Sequence, residues 1–190
     1  MRAAWRAPFA GEIGAERLVF VDEMGPNTSP APLRAWAPRG GRARHSVPRN
    51  RGKNTTLLAS MTLEGMGPCL AVEGSITREV FEVYLEHVLT PKLRSGQVVV
   101  MDNLQAHKGK RVRELVKARG CELLYLPPYS PDLNPIEEAF AKVKALLRRM
   151  GARTRETLVG AMGRALDAVT VQDARGFFRH CGYRLPGQRL

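Results

Sequence analysis

Residues 18–22 read Leu-Val-Phe-Val-Asp, four apolar positions without a polar break and then an acid. An unbroken apolar run of this length suits a strand buried on both faces. Residues 33–37 predict a second strand, ended by Pro38 and the Gly40-Gly41 pair. Residues 55–63, rich in β-branched and apolar side chains, predict a third. The period then changes. Val80, Phe81, Tyr84, Leu85 and Val88 recur at helical spacing, and Thr77 stands where an N-cap belongs. Residues 97–102 make a fourth strand, again closed by an acid, and residues 108–120 a helix that Gly120 terminates. A fifth strand over 121–127 stops at proline. The next helix has Asn134 at its cap, Pro135 in its first position and an apolar stripe of Ile136, Phe140, Val143 and Leu147. Residues 154–168 and 172–180 predict two more helices. Three strands followed by alternating helices and strands give an α/β fold, a mixed central sheet of about five strands flanked by helices.

Length and composition narrow the possibilities. A chain of 190 residues is about one domain. With 30 basic against 18 acidic residues, the net charge of +12 calls for an anionic partner, and nucleic acid is the commonest. Cys69, Cys121 and Cys181 stand singly, which argues against zinc and against a disulfide framework; reduced thiols fit a cytoplasmic protein. No apolar run reaches the length of a membrane span or a signal peptide, so neither membrane insertion nor export is expected.

The acids that close two strands carry the chemistry. Asp22 and Asp102 end corresponding strands, and Glu137 opens a late helix with 34 residues between it and Asp102. Mg²⁺ is a hard cation that takes carboxylate oxygens and keeps positions open for water and phosphate. Two such ions about 4 Å apart serve phosphodiester cleavage or strand transfer. Each acid alone has a plainer reading. A strand-end aspartate is often solvated turn material, and a glutamate three residues after an Asn cap can complete a capping box. Glu138 rivals Glu137. On a helical wheel they lie about 100° and 200° from Ile136, but Ala139 and Leu146 widen the apolar arc, so geometry alone leaves the choice open. Glu23 points to the opposite strand face from Asp22, as a surface or supporting acid.

Residues 34–53 hold Arg34, Arg39, Arg42, Arg44, Arg49, Arg51 and Lys53 and no acid. Gly40-Gly41 allow close approach, and Trp36 offers a stacking or wedging face. The segment reads as a DNA-contacting hairpin or loop beside the acids; the plain alternative is an exposed basic loop. Lys108, Lys110, Arg111 and Arg113, and the helix face of Lys142, Lys144, Arg148 and Arg149, are weaker signals of the kind solvated helices show.

Four segments, VFVDEMG, RAWAPRGGR, VVVMDNLQAHKGKRV and LPPYSPDLNPIEEAFAKVK, resemble the catalytic domain of mariner-superfamily transposases, in the bacterial insertion-sequence-630 branch. The likeness covers roughly residues 17–150, and the tail to about residue 183 is also similar. It implies a ribonuclease-H-like core at 17–150, a short lead at 1–16 and C-terminal helices at 151–190 packed on the core. It also implies two Mg²⁺ ions, with Mn²⁺ as substitute, held by Asp22, Asp102 and Glu137. Glu137, the first glutamate after Pro-Ile, matches the family's ligand, which leaves Glu138 a supporting role. Asn103 and His107 recur in the motif as residues that order the metal site or touch phosphate, with Lys108 beside them on the DNA. The implied reaction cuts element ends and joins them into double-stranded target DNA, with a homodimer on the DNA and a location at the nucleoid.

Full-length relatives carry helix-turn-helix modules ahead of this core, and 21 residues before Asp22 are too few for one. The expectation is therefore a helix-turn-helix partner from an upstream frame, or a truncated copy. Two other functions fit part of the pattern. A ribonuclease-H-like nuclease would cut hybrids with the same acids but has no need of the proline-rich block. A decayed element would leave a non-catalytic DNA-binding remnant, against which the intact Asp22, Asp102 and Glu137 argue.

Overall fold

The computed structural model describes residues 13–26, 28, 31, 35–44, 46, 54–104 and 107–187. Its strands are β1 (Leu18–Met24), β2 (Thr55–Thr62), β3 (Gly65–Glu73), β4 (Val98–Met101) and β5 (Glu122–Tyr125), joined in the order β3-β2-β1-β4-β5. β1 is central, antiparallel to β2 and parallel to β4, so the sheet is mixed. Its side chains alternate between two cores. Leu18, Phe20 and Met24 face one cluster, and Val19 and Val21 face the other.

Among the described residues, five α-helices cover the faces: α1 (Arg78–Tyr84), α2 (Lys110–Ala118), α3 (Pro135–Met150), α4 (Arg155–Asp167) and α5 (Val171–His180). α1 and α2 place Phe81, Tyr84, Val112 and Val116 on the Val19 face. On the other face the stripe of α3 is buried in full, with Leu158 of α4 and Phe178 of α5 in the same cluster. Phe20 meets Phe178 and Tyr183 edge-on, each at 5.3 Å between ring centroids.

Two expectations need correction. The strand expected at 33–37 is absent from residues 35–37, which have no regular structure; residues 33 and 34 lie outside the described residues. The hairpin partner of β2 is instead β3, whose Gly65, Gly67 and Pro68 do not read as a strand. An edge strand tolerates proline, and Gly67 is there because a Cβ would stand 2.5 Å from Ser60 Oγ. The helix from Thr77 also departs from regular spacing. Thr77 caps it by accepting from Val80 N at 3.4 Å, but after Tyr84 it widens into a π-helical turn, Leu85–Leu89. The wider turn buries Leu89 and leaves Val88 half-exposed.

The C-terminal helices are fastened by side chains. In α5, Asp173 Oδ2 accepts from the Thr170 backbone at 2.8 Å and from Lys142 of α3 at 2.6 Å. Lys142 and Thr170 hold the Asp173 carboxyl down at about 2. Asp173→Ala is expected to lower stability by about 1 kcal/mol at neutral pH, chiefly through the lost return bond from the Thr170 backbone in the capping box, since Thr170 itself still caps the helix. A carboxyl lowered on folding stabilises above its unfolded value and ceases to do so as pH falls towards 2. The wild-type advantage should therefore be full above about pH 4 and shrink in acid, as urea titrations at several pH values would read. An advantage that did not vary with pH would mean the carboxylate is not the source.

Candidate active site

The parallel pairing of β1 with β4 sets the site. Val21 lies opposite Met101, so Asp22 and Asp102 follow one residue later on adjacent strands, at the same end of the sheet. β5 is in register with β4, with Tyr125 opposite Met101, and the chain then enters the Pro127-Pro128 loop. That loop runs through Leu133, whose carbonyl accepts from Tyr183 Oη at 2.6 Å, into the first turn of α3 and Glu137. Asp22, Asp102, Glu137, Asn103, Asn134 and Tyr129 thereby line one open cleft of about 380 Å³.

Asp22 is nearly buried, with 6% of its surface exposed. Burial, and then the nearby charges of Glu137 and Asp102, raise its carboxyl to about 7, against the hydrogen bond that Glu23 N donates to Oδ1 at 2.7 Å. Asn134 Nδ2 donates to Oδ2, also at 2.7 Å. Asn134 does hold the N-cap position of α3, but its side chain serves Asp22 rather than the helix, so the capping-box reading of Glu137 does not apply. Asn134 Oδ1 is buried and, among the described residues, has no partner. The sequence pattern marks Asn134 only as a cap; the signal for its second role is the pairing of Asn-Pro with a strand-end acid.

Asp102 takes two bonds on one oxygen. Leu104 N donates to Oδ1 at 3.2 Å, and His107 Nδ1 lies 2.6 Å from it. The His107 ring is fully buried, packed on Phe81 at 4.0 Å between centroids, and Tyr125 Oη donates to its carbonyl at 2.7 Å. A buried ring offers no surface to phosphate, so of the two roles expected for His107 its place suits the ordering of Asp102. Glu23 is half-buried on the face opposite Asp22; burial, and to a lesser degree Asp102, raise its carboxyl.

Glu138 is not beside the cleft. It pairs with His180 of α5, which it raises, and Cys181 Sγ stands 3.9 Å from it. The helix turns it towards α5, so it fastens helices instead of supporting the acids. Trp36, Arg39, Arg42 and Arg44 are exposed on a stretch without regular structure, apart from a turn closed by Gly41 N to Pro38 O at 2.8 Å. Lys108 is half-buried at the entrance to α2. Arg34, Arg49, Arg51 and Lys53 lie outside the described residues.

The donors lining the cleft are carboxylate oxygens with no thiolate, a set suited to a hard divalent cation. Among the described residues, no three His, Cys, Asp or Glu groups stand close enough to form a finished metal cage. Also among the described residues, no helix is long and apolar enough to cross a membrane.

Residues 17–159 match the DDE superfamily endonuclease family. The Tcb2 transposase of Caenorhabditis briggsae is 35% identical over 91 residues, 46% of this chain and 33% of that protein. The Tcb1 transposase of the same organism is 30% identical over 135 residues, 59% of this chain and 49% of that protein. The chain thus spans a third to a half of these relatives' length. The Mos1 transposase in a paired-end complex with the left transposon end superposes with a TM-score of 0.76 at 19% identity, over 94% of this chain and 55% of that one. That likeness makes the fold ribonuclease-H-like. The chain belongs to the DDE superfamily endonuclease family; its sequence is similar to that of the Tcb1 transposase, and its fold is that of the Mos1 transposase catalytic domain.

Proposed function

We propose that this chain cuts DNA strands and joins them to new ones with two divalent metal ions held by Asp22, Asp102 and Glu137. The observation that carries this is the single cleft lined by all three acids, in which Asp22 is raised by burial and by the other two. When bound, Mg²⁺ or Mn²⁺ supplies activation of the attacking oxygen and stabilisation of the leaving one. Mos1 complexes with Mg and with Mn share the fold.

The chain's own residues do the rest. His107 and Leu104 N fix Asp102 by one oxygen, and Asn134 orients Asp22. The Trp36–Arg44 stretch offers the strand a basic surface. Metal-dependent nicking of a supercoiled plasmid tests the proposal; cleavage confined to RNA–DNA hybrids would overturn it. The proline-rich block and its 34-residue spacing further support the insertion-sequence-630 branch and with it a bacterial origin; a homodimer on DNA belongs to the same reading.

The basic stretch should touch phosphate, so its share of binding should depend on salt and not on sequence. Replacing Arg39, Arg42 and Arg44 by alanine should flatten the plot of log affinity against log salt by up to about 2.7, at roughly 0.9 for each phosphate no longer neutralised. An unchanged slope would make the stretch a free loop.

A further inference from the structure

Tyr129 shares the cleft with the acids and has no part in their chemistry. Its side chain is 99% exposed, although a phenol ring gains by being covered. Glycines apart, it alone among the described residues has a positive φ, 54°. A bulky residue keeps a left-handed backbone only when its surroundings impose it, and such residues gather at functional sites.

The surroundings here do impose it. Ser130 is buried and its Oγ donates to Pro128 O at 3.2 Å. Leu126 N is tied to Met101 O at 2.8 Å before the ring, and Leu133 N to Ser130 O at 3.1 Å after it. The loop is fixed on both sides while the ring stands in solvent. Leu104, 45% exposed, brings a second apolar side chain to the same cleft from the Asp102 loop.

Phosphate has no use for an apolar ring, but the face of a nucleobase does. In a paired, stacked duplex those faces are covered. Only a base displaced from the stack offers one. We propose that Tyr129, with Leu104, receives an unpaired base next to the phosphate held by the acids, a subsite for locally opened DNA. This rests on the nuclease reading above for the identity of the neighbouring phosphate.

The test uses the whole chain with Ca²⁺, which supports binding without turnover, and short duplexes that are fully paired or carry one unpaired 2-aminopurine. Wild type should bind the unpaired probe about tenfold more tightly, a stacking-sized effect, and quench its fluorescence. Tyr129→Phe should keep both results. Tyr129→Ala and Tyr129→Gly should bring the ratio near one. Tyr129→Gly should also melt no lower than wild type, because glycine takes this φ freely. A ratio near one in wild type, or one unchanged in Tyr129→Ala, overturns the subsite. The two proposals fail separately. Base capture without metal-dependent nicking would keep the subsite and sink the nuclease; nicking without base capture would do the reverse.

Discussion

Asp102→Ala and Asp102→Asn are both expected to lower metal-dependent nicking at least a thousandfold, a loss of about 4 kcal/mol in transition-state stabilisation. The two variants separate chemistry from folding. Alanine removes the acceptor for Leu104 N and the partner of His107 Nδ1, and a buried ring left unpaired costs about 1–3 kcal/mol of stability. Asparagine keeps an oxygen for both bonds and removes only the charge. Equal inactivity with unequal melting temperatures would therefore assign the activity to the carboxylate and the stability to its hydrogen bonds. Calorimetry with Mn²⁺ should show weakened binding in both variants and in Asp22→Ala. Metal affinity equal to wild type in all of them would remove these acids from the site.

Much of this arrangement is readable along the chain because local rules coincide with tertiary ones. The apolar runs ending at Asp22 and Asp102 had to be buried strands, and parallel pairing then brings strand-end acids together without further information. Pro135 and the Ile136–Leu147 stripe place Glu137 in the first turn of α3 for the same reason. What failed to show depends on neighbours remote in sequence. β3 looks like a loop until Ser60 is seen against Gly67 and the edge position excuses Pro68. The π-helical turn shifts burial from Val88 to Leu89, which no fixed period anticipates. Asn134 satisfies every rule for a cap, yet a buried acid 112 residues earlier claims its amide. Glu138 looks like a neighbour of the site because it adjoins Glu137, but one step around a helix turns it to His180.

Asp22→Asn should stabilise the metal-free protein while abolishing its activity. The wild-type carboxyl rises from an ordinary 3.8 to about 7 on folding, so the folded chain holds a proton that the unfolded chain has released. Stability therefore falls as pH rises between those two values and levels off above the higher one. About three pKa units at 1.36 kcal/mol each put the full cost near 4 kcal/mol, as an upper figure. An amide has no such titration. Its oxygen can still accept from Glu23 N, and its NH₂ can donate to Asn134 Oδ1, now unpartnered, once the Asn134 amide turns over. In EDTA at pH 8, urea unfolding should show the variant more stable by up to about 4 kcal/mol, with the gap closing towards pH 4. Mg²⁺ should reverse the comparison, since a cation relieves the buried charge in wild type and finds a weaker ligand in the variant. Parallel stability curves for the two proteins across this pH range would show that Asp22 is not held in a charge-starved cleft, and the electrostatic case for a metal site there would fall with it.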